Sequence, residues 1–210
     1  MKVLLFGATG AIGSAISEEL AARGHEVTGV SRTTLSQPAP DASHRTHHVG
    51  DASNPDSVAA LAAHHDAVVS AVSSGHPASL AEAASGLVRG LRKAGVRRLL
   101  VVGGAGTLEA VPGLRLVDTP EFPEPYKPTA YAQAAALAVF HTVEDIDWTY
   151  LSPAVVIKPG ARIGRYRLGA DQVLTDNDGN SIISIPDFAL ALADELDRPT
   201  ALQQRITVAY

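Results

Sequence analysis

Three glycines spaced three apart, Gly7, Gly10 and Gly13, are the residues whose type and spacing point most directly to chemistry. They sit in Gly7-Ala8-Thr9-Gly10-Ala11-Ile12-Gly13, after the apolar run Val3-Leu4-Leu5-Phe6. Beyond them Ile12, Ile16 and Leu20 recur at spacing four until Gly24. That pattern predicts a buried strand, a tight turn and an amphipathic helix. Gly7 would let the chain leave the strand sharply, Gly10 would keep side-chain atoms out of the path of a pyrophosphate, and Gly13 would let the helix lie close to the sheet. With Thr9, Ala11 and Ile12, the turn would offer backbone N–H groups and the positive end of a helix dipole to paired phosphates. The alternative is a glycine-rich turn with no ligand, but a turn alone needs fewer special residues.

Other candidates fall at the ends of later strand-like runs. The run His25–Val30 continues into Ser31-Arg32, roughly 20 residues past the glycines, where an NAD-preferring site carries an acid. A serine and an arginine can hold a 2′-phosphate instead, the arginine by a charge-assisted fork, so NADP(H) is expected over NAD(H). Gly50-Asp51-Ala52 closes a short run at Thr46–Val49, and Ala71-Val72-Ser73 closes Asp66–Val72. Gly103-Gly104 follows Arg98–Val102, and Pro153-Ala154-Val155 follows Trp148–Leu151.

Helical patterns separate these runs. Asn54-Pro55-Asp56 opens one, with a capping Asn, Pro at the first helical position and an acid in the first turn. Further helices are expected at Ser79–Ala94, from Pro128 to about His141, and at Pro186–Leu196. Thr33–Ser43 reads as a loop, and so does proline-rich Gly106–Pro128, placed over the site. The strand and helix alternation implies a doubly wound parallel sheet with ligands along its carboxyl edge. After Pro153 the pattern changes. Arg165–Leu168 and Gln172–Leu174, the turn Asp176–Asn180 and Ser181–Ser184 look like a small hairpin, before a last strand at Gln204–Tyr210.

The glycine spacing resembles the extended and atypical branches of the short-chain dehydrogenase/reductase superfamily, where Gly-Ala-Thr-Gly-x-x-Gly is typical. Ser184-Ile185-Pro186-Asp187-Phe188-Ala189 resembles a late helix start of the extended branch. Val102-Gly103-Gly104-Ala105-Gly106, Tyr126-Lys127-Pro128 and Trp148–Pro153 further resemble the atypical NAD(P)H-binding group of NADH-flavin reductases, biliverdin/flavin reductases and NmrA-like regulators. The resemblance implies an α/β Rossmann fold spanning 1–210 as one domain, with 154–210 as a small C-terminal α+β elaboration on the substrate side. It places Asp51 by the adenine, with helix capping as the competing role. It places Ala71, Val72 and Ser73 by the adenosine, Gly103 and Gly104 near the nicotinamide, and Pro153 to Val155 where backbone groups could meet the carboxamide.

The superfamily's proton relay, Tyr-x-x-x-Lys, is missing. Tyr131 is followed four residues on by Ala135, and Tyr126 by Ala130. Hydride transfer to a flavin, quinone or similar conjugated acceptor needs stacking and orientation more than a strong acid. That is the expected reaction, with Tyr126 and Lys127 as candidate catalytic residues. Tyr126 would stack, and Lys127 would hold ribose hydroxyls or a substrate anion. A non-catalytic NADP(H)-sensing regulator is the rival, and a sugar-nucleotide epimerase or dehydratase the third option.

Composition bounds the rest. A formal net charge of -5 suggests neither nucleic acid nor an anionic membrane as partner. The absence of cysteine removes disulfides, thiol catalysis and cysteine-held metals, and fits a reducing cytoplasm. With a core strand expected at the N-terminus no signal peptide is expected, and no apolar run approaches the roughly 20 residues of a membrane span. His44, His47, His48, His64 and His65 lack metal-site spacing and are expected at the surface, with no metal bound. Trp148 is expected to fill core. Ser73, Ser74 and His76 form no nucleophile elbow. Monomer and homodimer both remain open.

Overall fold

The computed structural model describes residues 1–33, 45–73 and 77–210. The expected loop beyond Thr33, together with His44, Ser74 and His76, lies outside the described residues. In chain order the elements are β1 (Lys2–Phe6), α1 (Ala11–Ala22), β2 (Glu26–Ser31), β3 (Arg45–Val49), α2 (Pro55–Ala62), β4 (Ala67–Ser70), α3 (Pro77–Ala94) and β5 (Arg98–Val102). They continue as β6 (Glu109–Val111), β7 (Leu114–Arg115), α4 (Lys127–Phe140), β8 (Asp147–Pro153), β9 (Val156–Lys158), β10 (Arg167–Gly169), β11 (Ile182–Ser184), α5 (Ile185–Asp197) and β12 (Gln204–Ala209).

Val3 to Phe6 are almost fully buried, so β1 needs cover on both faces. One face receives α2, α3 and α4, where Leu4, Phe6, Leu87, Leu91, Phe140 and Trp148 form one core. The other receives α1 and α5, where Val3, Leu5, Ile16, Leu20, Phe188 and Leu192 form a second. Trp148 fills core as expected, 2% exposed, with its indole N–H donating to the Val143 carbonyl at 3.1 Å. The sheet order is β10-β12-β8-β5-β4-β1-β2-β3. All neighbours are parallel except β10, which runs antiparallel to β12. This is the doubly wound Rossmann arrangement, with its order reversing between β1 and β4.

The C-terminal part is divided. α5 and β12 complete the main layers, while 156–184 forms the elaboration. The hairpin expected there is not made. β11 pairs in parallel with β9, β10 pairs with β12, and Gln172-Val173-Leu174 is no strand. Gln172 instead bridges Glu109, whose N–H donates to the Asp171 carbonyl and whose carbonyl accepts from Val173. Strands pair with whichever edge is open in space, and here the open edges belonged to β12 and β9. The turn does form: the Asp176 carboxylate accepts from the N–H groups of Asp178 and Asn180. Nor is Gly106–Pro128 wholly irregular, since it holds the β6–β7 hairpin, with Leu108 and Val117 fully buried.

Two caps form as their residues dictate. Asn54 accepts from Asp56 and Ser57 at the start of α2, and Ser184 accepts from Asp187 at the start of α5. His48 and His64 are exposed as expected, but two histidines depart from it. His47 is half-buried, and His65 reaches the Thr28 hydroxyl with Nε2 at 2.9 Å. Among the described residues no group of three or more His, Cys, Asp or Glu is placed to hold a metal, and no helix is long and apolar enough to cross a membrane.

Candidate functional site

Because α1 leaves β1 on one face and α3 leaves β4 on the other, the carboxyl ends of these strands diverge into a crevice. The cleft there has a volume of about 510 Å³. Ten residues singled out from the sequence line it: Gly7, Thr9, Gly10, Ser31, Arg32, Asp51, Ala52, Ala71, Val72 and Ser73. Ser53, Ser79 and Glu82 line it too, unanticipated because they are placed by the α2 turn and by α3 rather than by strand ends. A more open hollow of about 670 Å³ lies between α3 and α4, bordered by Ser85, Val88, Arg89 and Val139. No strand ends there, so the strand-end cleft is the better candidate despite its smaller size.

The three glycines have separable reasons. Gly7 has φ +80, and a Cβ there would stand 2.5 Å from the Ala71 carbonyl oxygen. A Cβ on Gly13 would fall 2.1 Å from the Gly7 carbonyl oxygen, so this glycine closes the helix onto the turn. At Gly10 a Cβ would meet only the Gly7 oxygen, at 3.6 Å, an ordinary contact. The fold alone therefore tolerates a side chain at Gly10, a residue that lines the cleft. The start of α1 also differs from those of α2 and α5. Its N-cap, Gly10, has no side-chain cap and its first turn no acid, whereas the other two carry Asp56 and Asp187. The N–H groups of Ala11, Ile12 and Gly13 precede the first intrahelical bond, Ser14 to Gly10. These residues fit a pyrophosphate.

At the β2 end, Arg32 is exposed on the cleft wall, while the Ser31 hydroxyl is already engaged by the Thr33 carbonyl and by His47. Asp51 folds back locally, accepting from the Ser53 N–H at 2.9 Å and hydroxyl at 2.8 Å. The capping of α2 falls to Asn54, so Asp51, which lines the cleft, is free of that duty.

The residues expected around the nicotinamide lie outside this cleft's lining. Gly103 is explained by packing, because a Cβ would lie 2.2 Å from the Tyr150 ring. Gly104 backs onto the side chain of Gln133. Pro153 and Ala154 are buried. The Val155 N–H already donates to the Ser181 hydroxyl at 3.1 Å, so it is not open to a carboxamide as expected. Tyr126 is 66% exposed just ahead of α4. Lys127 opens the helix with its ammonium paired to Glu124, and that hydrogen bond raises its pKa. The Tyr131 hydroxyl donates to Asp118 at 3.4 Å, and Arg115 holds Asp118 ionised, lowering its pKa. Tyr150 is fully buried, donates to Gln133 Oε1 at 2.6 Å, and has its pKa pushed well up by burial. None of these tyrosines is followed one turn on by a lysine, the positions being Ala130, Ala135 and Ala154.

Residues 7–199 match the family described as NAD(P)H-binding. A solved structure of a putative exported protein from Burkholderia pseudomallei is 45% identical, with both chains covered in full and a TM-score of 0.91. A putative epimerase from Bacteroides thetaiotaomicron is 40% identical, with 100% of this chain and 96% of that chain covered and a TM-score of 0.93. A putative NADH-flavin reductase from Streptococcus pneumoniae TIGR4 is 35% identical, with 100% and 99% covered and a TM-score of 0.85.

Proposed function

This chain belongs to the NAD(P)H-binding family, and from that premise we propose that it is an NADPH-dependent oxidoreductase whose acceptor is a flavin, a quinone or a similar small conjugated molecule. The observation that carries the reading is α4. One turn beyond Tyr131 stands Ala135, and the nearby phenols are either committed to Asp118 and Gln133 or exposed. Reduction of an isolated carbonyl needs a positioned acid, whereas a conjugated acceptor spreads the arriving charge and takes its proton from water. Bound reduced nicotinamide would supply the hydride, and the acceptor would gain two electrons and two protons.

The chain's own part is seating and shielding. The start of α1 takes the pyrophosphate, and Arg32 takes the 2′-phosphate. Tyr126, Val155 and Val156 are exposed and would offer apolar surface to a planar acceptor. Lys127 steadies an anionic group once it parts from Glu124. The name carried by the Streptococcus protein agrees with this acceptor class. A sugar nucleotide would need a larger lobe than 156–184.

The ion-paired state of Lys127 and Tyr131's bond to Asp118 also suit a non-catalytic NADP(H) sensor. Mixing the purified protein with NADPH and FMN or a quinone, and following the absorbance of the reduced nicotinamide, separates the two. Steady turnover supports the reductase. Tight NADPH binding without oxidation across a panel of flavins and quinones sinks it in favour of the sensor.

A further inference from the structure

The part of the cleft next to Arg32 is backed by a histidine that no local pattern marks. β2 and β3 run parallel with Gly29 beside His47 and Ser31 beside Val49. Side chains two apart on a strand share a face, so Ser31 and His47 project to the same side. That is the side of Ala8: a Cβ on Gly29 would stand 2.9 Å from Ala8 Cβ and 3.7 Å from His47 Cδ2. The missing side chain at Gly29 thus lets β2 approach Ala8, and the half-buried imidazole lies alongside, with Nε2 2.9 Å from the Ser31 hydroxyl. That hydroxyl donates its one proton to the Thr33 carbonyl at 2.7 Å. It can only accept from His47, so Nε2 carries the proton.

We propose that His47 is a specificity-determining residue for the adenosine ribose, becoming an imidazolium that pairs with the 2′-phosphate when NADP(H), and not NAD(H), fills the cleft. The proposal rests on the reading of the cleft as an NADP(H) site. Burial, with the neighbouring His48 adding to it, holds the His47 pKa below the ordinary imidazole value, so the ring is neutral near pH 7. Among the described residues, the charged and titratable groups nearest in the strands are Arg32 beyond β2 and His48 on β3, and the turn before α1 brings Ala8 against this face. Among the described residues that set holds no acid to balance a proton on the ring. A phosphate dianion within about 4–6 Å supplies one and raises the pKa by roughly 1–3 units. Binding then takes up a proton. Affinity for NADP(H) should rise as pH falls from about 8 toward the ordinary imidazole range near 6.5, while affinity for NAD(H) stays flat.

Calorimetric titration of the full chain with NADP⁺ and with NAD⁺, at about pH 7.5 in two buffers of different ionisation heat, counts the protons. The phosphate's own pKa near 6 contributes little there. Wild type should take up a fraction of a proton with NADP⁺ and none with NAD⁺. His47→Gln keeps an N–H donor but cannot titrate: uptake should vanish, and the loss of NADP⁺ affinity should be slight at about pH 7.5 and grow toward about tenfold per unit of pKa shift as pH falls below the ring's unliganded pKa. Unchanged NAD⁺ binding shows that the variant is folded. Wild type that prefers NADP⁺ yet takes up no proton, or a His47→Gln protein with the same uptake, overturns the role of His47 alone. Wild type with no preference for NADP⁺ overturns the cofactor reading and this inference together.

Discussion

Alanine at Gly10 and alanine at Gly13 add the same methyl group three residues apart, and the structure predicts opposite outcomes. At Gly13 the new Cβ would sit 2.1 Å from the Gly7 carbonyl oxygen, against an ordinary contact of at least 3.4 Å. Neither partner is a flexible side chain, so α1 must lift from the turn. Overpacking of this kind costs about 1–3 kcal/mol, which for a chain of this length lowers Tm by roughly 2–12 °C. At Gly10 the Cβ would meet a single atom at 3.6 Å, and the backbone, at φ -75, accepts any L-residue. Fold stability should therefore stay within about 0.5 kcal/mol of wild type. The Gly10 methyl group would instead stand where the pyrophosphate comes against the N–H groups of α1. Loss of one charge-assisted hydrogen bond there, about 1.5–3 kcal/mol, weakens dinucleotide binding roughly 10- to 150-fold. Thermal melts and NADPH fluorescence titrations of the two variants, run side by side, test this. If Gly10→Ala melts as early as Gly13→Ala, or binds NADPH as tightly as wild type, the phosphates do not sit on this turn.

Arg32→Ala should weaken NADPH by about 10- to 100-fold, the worth of a charge-assisted bond, and leave NADH nearly untouched; parallel titrations showing equal losses would remove Arg32 from the 2′-phosphate. Tyr126→Ala should lower kcat/KM for the acceptor with the Kd for NADPH unchanged, and a variant with wild-type kcat/KM would take Tyr126 out of the acceptor site. Asp187 is fully buried and accepts from the N–H groups of Ile163 and Gly164 and the hydroxyls of Ser184 and Tyr210. Burial alone would raise its pKa, but those hydrogen bonds outweigh it and the net shift is downward. Its stabilisation is therefore complete above the ordinary carboxylate range near 4 and lost as pH falls through the lowered folded value. Asp187→Asn should cost about 2–4 kcal/mol at neutral pH and flatten the acid limb of a pH-dependent melt; an unchanged limb would contradict this.

The features readable from local sequence are those whose cause is local. Val3–Phe6 followed by spaced glycines can only be a buried strand turning into a helix. Asn54-Pro55-Asp56 starts α2 because a side-chain oxygen, a fixed φ and an acid act within one turn. Strand ends near Ser31, Asp51 and Ala71 could likewise be read as one edge, since parallel crossovers put successive carboxyl ends together, and all three line one cleft. No such local cause bears on where an edge strand finds its partner. Nothing within Ile182–Ser184 records that Val156–Lys158 lies alongside, or that β10 closes onto β12, so the hairpin expected there was the wrong pairing.

Side chains at the ends of contacts long in sequence show the same division. His47 read as a surface residue until β3 docked on β2 and set its ring against the Ser31 hydroxyl. Val155 read as an open backbone donor until Ser181, 26 residues away, took its N–H. Periodicity, capping and turn chemistry act over a few residues and are written in the order of the amino acids. Strand pairing, burial of a titratable ring and competition for a hydrogen bond depend on which distant segments arrive at one place, and that is settled only when the layers pack.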